Sequence, residues 1–531
     1  MTRRYFIGLL SSFFGCANEE IKPKKMKRQV IDWWVGGASG TADTTADGKQ
    51  VFLVIGDSKC AYSGDTDQAS PSPTTGTAYQ WDHVTTNSVI ALTSTDLVGA
   101  GNAGANRGSP WPQFCIDYNT LSGKKAVIVD GHKYGSFWNS ATASFSWDIA
   151  NSTLYPLAKS RADACLAALG LTKLKGIFIT LGINDNTSAV AIGTVTAAMQ
   201  TLVNQLQTDY GTDIPIYISQ MGYDNSNPTA RTGAIKNAIS DLAINNTMVF
   251  EDVNEASLYG WGQYHTDTTH WKQAGNNSMG KLRARFVYNA NAYTDKDVRR
   301  IVYGYHYDAI NSTKAAGWAT FIANQKASGN WSIMDMLYVF KQDTQNNIVD
   351  FRGRSGQQPS TGYTFNANAN ISTDGVSTYF NTRYNPTALA KNATQNDMLW
   401  LYGSGTVTTP AGTAAAAFGS SSGGGIYLAQ DASNRTTFIF EQATPQTYTT
   451  DTKIQNNTDY ALRRTSSTNF ELIKAGTIVS IKSVASTGLS SVNALVGARN
   501  NSNPNTPTTS TYINATHRYL GSARASGFDL S

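Results

Sequence analysis

Val51-Phe-Leu-Val-Ile55 is a run of five apolar residues with no polar alternation, and it feeds directly into Gly56-Asp57-Ser58. A run of this kind suits a strand covered on both faces, as in a parallel sheet held between layers of helix. The spacing downstream agrees. Further strands are expected over 125–130, 174–181, 214–219 and 248–253, and helices over 154–169, 188–209 and 230–244. Strand and helix thus alternate from residue 51 to about 290, the pattern of an α/β sheet with helices on both faces. Such sheets place their chemistry at the carboxyl ends of the strands, where Ser58 would stand.

After about Tyr293 the texture changes. One helical piece carries Trp318, Phe321 and Ile322, and an apolar stretch runs from Met334 to Phe340. From Gly362 onward short alternating runs are separated by Gly, Asn, Pro and Ser, which predicts an all-β sandwich. The Ala-, Ser- and Gly-rich run over 412–425 reads as a loop. At 531 residues the chain exceeds what one core holds. Three parts are therefore expected: an extension and linker over 1–49, an α/β unit over 50–292, and an all-β unit over 293–531.

The net charge of +5 resides entirely in residues 1–28, which hold seven basic and two acidic side chains. The remaining chain is neutral and has no basic field for a phosphate backbone, so nucleic acid is excluded as an expected partner. Cys16, Cys60, Cys115 and Cys165 have no metal-ligand spacing and no adjacent histidine, so no metal site is expected. At the N-terminus a basic start and a short apolar run precede Gly15-Cys16. This fits a secretory signal of lipoprotein type, and equally an N-terminal extension with Met26 as the true start.

Four separated pieces could converge on one sheet edge. Ser58 ends the first strand, and Gly135 lies in Asp130-Gly-His-Lys-Tyr-Gly-Ser136 after the second. Asn184 lies in Gly182-Ile-Asn-Asp185 after the third, and Asp267-Thr-Thr-His270 precedes a helical stretch. A serine becomes a nucleophile when a base takes its proton, a role that suits His270, with Asp267 orienting the imidazole. The Ser58 and Gly135 N–H groups and the Asn184 side-chain amide would hold the oxyanion. Gly131 is the rival to Gly135, and His265 is the rival to His270. His132 could line a pocket but suits a turn better. His83, His306 and His517 have no acidic partner at a useful spacing and read as surface or turn residues. Cys60 is expected to pack beneath the serine.

At these residues the chain resembles the SGNH/GDSL hydrolase family, whose four blocks contribute Ser, Gly, Asn and His. Tyr62-Ser63, Tyr134-Gly-Ser-Phe-Trp138 and His270-Trp-x-x-x-Gly275 look like its carbohydrate and sialate O-acetylesterase branch. Two features depart from that branch: the second block lacks a paired Gly-Gly, and Gly-Ile-Asn-Asp replaces Gln-Gly-Glu. The likeness implies a three-layer, flavodoxin-like domain carrying Ser58, Asp267 and His270 as triad and Ser58, Gly135 and Asn184 as oxyanion hole. It also implies no cofactor. Around Asp374–Pro386 the second part loosely resembles the jelly-roll sandwiches of concanavalin A-like lectins and glucanases, including those of phage tail and prophage proteins.

Together these resemblances imply a serine esterase that removes O-acetyl groups from a polysaccharide or glycan. The alternative is a glycan-binding surface or phage tail protein whose hydrolase fold is vestigial. Either implies an extracellular, cell-surface or virion-tail setting, with a homo-oligomer or surface assembly as partner state.

Overall fold

The computed structural model describes residues 44–530 apart from 62–69, 94–96, 98–107, 222–228, 255–269, 291–292, 306–311, 341–349, 354–363, 367–369, 375–376, 378, 409–414, 421–424, 432, 434, 443–445, 448–452, 484–487, 492–493, 497 and 499–512. Its first sheet has seven strands: β1 (Lys49–Gly56), β2 (Ala78–Asp82), β3 (Ser88–Ala91), β4 (Lys125–Asp130), β5 (Gly176–Thr180), β6 (Ile216–Gln220) and β7 (Val249–Asn254). They lie in the order β3-β2-β4-β1-β5-β6-β7, parallel throughout except for β2 against β3. The hairpin strands β2 and β3 were not expected from the sequence, because they are short and flanked by Thr- and Ser-rich turns.

The helices used below are α1 (Ser58–Ala61), α2 (Trp111–Ser122), α3 (Leu154–Leu169), α4 (Ile192–Tyr210), α5 (Ala230–Asn245) and α6 (Gln273–Tyr288). Side chains alternate across a strand, and β1 uses both faces. Val51, Leu53 and Ile55 join one apolar cluster with α3, α4 and α5, whereas Phe52 and Val54 join another with α2 and α6. The result is a three-layer α/β arrangement. The chain passes from β1 to β2 and β4 on one side, then crosses to β5 on the other. β1 therefore lies at the switch point, and its carboxyl end opens into the crevice where such sheets bind ligands.

The C-terminal part is antiparallel. One sheet joins strands 334–339, 364–366, 370–374, 398–407, 459–464, 469–474, 477–483 and 514–523; the other joins 380–381, 415–420, 425–430, 436–442, 446–447 and 495–496. Trp400 stacks on Phe418 with centroids 5.6 Å apart, and Phe438 meets Phe470 edge-on at 5.2 Å, so the two sheets share a core. The outer face of the larger sheet, with Leu399, Leu401 and Tyr519, packs with Trp318, Phe321 and Ile322 of helix 312–327. The loop expected over 412–425 is wrong in its middle, where Ala415–Ser420 is a strand. Alanine disfavours strands only weakly, and here pairing on both sides and the burial of Ala415, Ala416, Ala417 and Phe418 override it.

The change of texture near residue 293 is not a break in packing. Val253, Trp271, Met279 and Leu282 belong to the same buried cluster as Leu389, Trp400 and Leu462. Lys391 pairs with Asp241, and Gly233 on α5 lies so close to helix Pro386–Leu389 that a Cβ there would stand 1.9 Å from the Ala388 carbonyl oxygen. Gly233→Ala tests this contact. In an open helix the change should add about 1 kcal/mol of stability. Here overpacking against backbone should outweigh that and leave a net loss of about 1–2 kcal/mol in urea unfolding. A raised unfolding midpoint would show that the two parts are not in contact at this helix.

Candidate active site

The turn after β1 is built around a missing side chain. A Cβ on Gly56 would stand 2.3 Å from the Thr180 carbonyl oxygen and 2.9 Å from Cys60 Cβ, so only glycine fits between β1 and β5. Asp57 N–H donates to that same Thr180 oxygen (2.9 Å), and the Asp57 carboxylate accepts the Lys59 N–H (3.0 Å). These bonds start α1 at Ser58, whose hydroxyl lies 3.1 Å from His270 Nε2. The two residues are 212 positions apart. Their successors also meet: the Lys59 ammonium lies 5.5 Å from the centre of the buried Trp271 ring. Cys60 is wholly buried beneath, where burial pushes its thiol well above the usual range.

Beside this pair runs the loop after β4. The Gly131 N–H donates to Val54 O (2.8 Å), and a Cβ on Gly131 would stand 2.7 Å from Ala158 Cβ. Gly131 thus serves helix–sheet packing, and its N–H is engaged. Gly135, at φ +71° in the left-handed region, makes no such backbone bond among the described residues. The loop is pinned to β1 because Gly56 O accepts both the Lys133 N–H (2.9 Å) and the Ser136 hydroxyl (3.0 Å). Asn184 donates one amide proton to Ser136 O (2.9 Å), which leaves its second N–H for another acceptor. The neighbouring Asp185 accepts the Trp138 N–H at 3.0 Å.

Among the expected site residues, then, Ser58 and His270 are in contact, and Asn184 and Gly135 are joined through Ser136. Asp267, the rival base His265 and also His306 lie outside the described residues. His132 makes a 2.6 Å contact with Asp130 through Nδ1 and also donates its backbone N–H to that carboxylate, a turn role. His83 is half-buried at the turn after β2. His517 corrects the expectation of a surface residue: it is fully buried in the larger C-terminal sheet, between the Tyr402 hydroxyl (2.9 Å) and Thr373 Oγ1 (3.0 Å). Burial lowers its pKa to about 3, so it is neutral. No sequence spacing could show this, because its partners come from strands more than a hundred residues away.

Two supporting groups escaped the sequence reading. Arg283 on α6 donates to Asp252 (3.0 Å), Thr180 (2.6 Å) and Ser219 (2.5 Å), all at the carboxyl ends of β5, β6 and β7. Its guanidinium also lies 5.1 Å from the centre of Trp111. The other is Asp185, whose second oxygen is buried. Burial pushes the Asp185 carboxyl up to about 6, against the backbone bonds from Trp138 and Asn139 and the charge of Arg231. Only the motif position next to Asn184 signalled it. Among the described residues no three His, Cys, Asp or Glu side chains group as metal ligands, and no helix is long and apolar enough to cross a membrane.

No family model matches the sequence, and no curated protein is detectably similar to it. Among solved structures the chain is similar to an Arabidopsis thaliana protein, at 13% identity over 46% of this chain and 99% of that one, with TM-score 0.35. It is similar to NanS at 14% identity over 46% of this chain and 97% of that one, with TM-score 0.31. It is also similar to a carbohydrate acetylesterase from Xanthomonas citri at 14% identity and TM-score 0.32, over 46% of this chain and 57% of that one, little more than half its length.

The Asp185 environment predicts a pH dependence. Its folded pKa of about 6 lies above the ordinary 3.8, so the folded state binds the proton more tightly. The resulting stability is fully present below pH ~4 and is lost as pH rises through ~6, an amplitude of ~2–3 kcal/mol. Asp185→Asn should remove this slope. The wild-type melting temperature minus that of the variant should grow on acidification from neutral pH, and a constant difference would refute the assignment.

Proposed function

We propose that the protein is a serine esterase of SGNH type, removing O-acetyl groups from a polysaccharide or glycan. The observation that carries this reading is the 3.1 Å contact between Ser58 Oγ and His270 Nε2 at the switch point of the sheet. In the proposed mechanism Ser58 Oγ attacks the ester carbonyl carbon while His270 Nε2 takes its proton. The tetrahedral oxyanion is held by the Ser58 and Gly135 N–H groups and by the second amide proton of Asn184. As the intermediate collapses, the carbon–oxygen bond to the sugar breaks and His270 returns the proton to the departing hydroxyl oxygen. Water, deprotonated by the same imidazole, then attacks the acyl-serine; the bond to Ser58 Oγ breaks, the imidazolium returns the proton to that oxygen, and acetate leaves. Asp267 is assigned the orienting carboxylate of His270.

The substrate class is argued from the chain as a whole. The sequence after the serine is polar, with Asp65, Asp67, Gln68 and several Ser and Thr, which does not suit a lipase lid. The chain beyond residue 28 is electrically neutral. In this reading residues 50–292 form the esterase unit and 293–531 a jelly-roll, glycan-binding unit of concanavalin A-like type. Such a unit would raise the effective concentration of weakly held sugar chains at the serine. An extracellular or virion-tail setting belongs to the same proposal. The competing reading is a glycan-binding surface protein without catalysis, and it requires Ser58 to be inert.

Ser58→Ala and His270→Ala should each lower hydrolysis of p-nitrophenyl acetate by several orders of magnitude with the circular dichroism spectrum unchanged. Asn184→Ala should lower turnover on the order of a hundredfold, the effect of losing one oxyanion donor. Near-normal activity in Ser58→Ala would remove it as nucleophile.

The acyl preference is tested separately. Across p-nitrophenyl esters the rate should fall from acetate to octanoate, and acetate should be released from acetylated polysaccharide with no glycosidic cleavage. A rate that climbs with chain length would make the protein a lipase-like esterase.

A further inference from the structure

Large apolar side chains are rarely exposed on the described surface, yet two of them lie close to Gly135. Tyr134 is 47% exposed and Phe145 is 36% exposed. The Tyr134 ring lies nearly parallel to the His270 imidazole, with 6.2 Å between centroids and 15° between planes. Phe145 is also close to the glycine, its ring carbons 3.8–3.9 Å from the place a Gly135 Cβ would occupy, and the Lys133 ammonium lies 5.5 Å from the centre of its ring.

The backbone that presents these rings is tightly held. Lys133 N–H and the Ser136 hydroxyl bond to Gly56 O, and Ser136 O accepts from Asn184. Phe137 N–H donates to Phe145 O (2.8 Å), and the Trp147 indole donates to Ser136 Oγ (3.0 Å). The rings are thus offered to solvent by a rigid loop. A rigid, exposed aromatic pair at the rim of a nucleophile is the pattern of a ligand platform.

Resting on the esterase reading, we propose that Tyr134 and Phe145 form a subsite for the pyranose ring that bears the scissile ester. The C–H face of the sugar stacks on Tyr134, and its edge meets Phe145. An aromatic face carries negative charge density and attracts the polarised C–H groups of a pyranose. A long acyl chain would instead need an enclosed apolar channel. A protein partner seated on these rings would cover the serine. The subsite gives specificity for the sugar side of the ester, whereas the oxyanion groups see only its carbonyl.

Binding is measured in the Ser58→Ala background by calorimetric titration with an O-acetylated methyl glucopyranoside. Adding Tyr134→Ala should weaken the dissociation constant about tenfold, and Tyr134→Phe, which keeps the ring, should stay within about threefold. An unchanged constant in the alanine variant overturns the proposal. With Ser58 intact, Tyr134→Ala should raise KM for the acetylated pyranoside. Its loss of kcat/KM on that substrate should exceed its loss on p-nitrophenyl acetate by about fivefold or more. Equal losses on both esters would mean that Tyr134 acts only through His270, and a larger loss on octanoate than on acetate would assign the ring to the acyl chain. Either result overturns the proposal. If the wild-type chain cleaves neither ester while sugar binding still depends on Tyr134, the esterase reading fails and the subsite stands.

Discussion

A fully buried guanidinium at the carboxyl edge of the sheet holds the site's two halves in register. Arg283 belongs to α6, the helix that follows His270, and its donors reach Asp252, Ser219 and Thr180 at the ends of three strands. Thr180 in turn supplies the carbonyl that fixes the Asp57 N–H, one residue before Ser58. Burial raises the Asp252 carboxyl above its ordinary value, and the Arg283 charge and the Ser219 hydroxyl offset that rise only in part. A buried pair of this kind adds little net stability, but removing one partner costs about 3–5 kcal/mol, because the other charge is left without a counter-ion. The pair ties α6 to the carboxyl ends of β5, β6 and β7, and His270 lies just before that helix.

The second support comes from the C-terminal part. Trp271 follows His270 directly, has no exposed surface, and belongs to a cluster completed by Leu389, Trp400 and Leu462. The antiparallel sheets thus help to form the apolar floor under the segment that carries the base. Tight packing transmits small displacements rather than absorbing them. A change at the contact between α5 and helix 386–389 can consequently reach the site without touching it.

The candidate site also shows how one polar loop can be rigid and exposed at once. Its backbone and small side chains face inward and are bonded to Gly56, Asn184 and Asp185, which satisfies the groups that would otherwise be buried without partners. Its large rings, on Tyr134 and Phe145, are left on the outside. Inner bonding holds the segment around Gly135, and the two rings remain exposed beside it.

The sequence by itself determined much of the scaffold. A five-residue apolar run is hydrophobic in both directions from the strand, so β1 had to be central, and the glycine that follows marks a close approach. Ser58 and Asn184 were legible as polar residues after strands and His270 as one before a helix, and the fold brings Ser58 and His270 together. What local pattern could not reach was anything fixed by contacts distant in the chain. The tight packing of Gly131 depends on Val54 O and Ala158, and the setting of the buried His517 on Tyr402 and Thr373. The strand at Ala415–Ser420 exists because two partners and the Trp400 ring lie beside it, against the weak preference of its alanines. Nothing in the sequence marked Arg283 and Asp252 as partners; their pairing exists only where α6 lies on the sheet. Propensity and period are properties of neighbours in sequence, whereas burial, hydrogen-bond partners and charge pairing belong to neighbours in space, and only the tertiary structure brings those together.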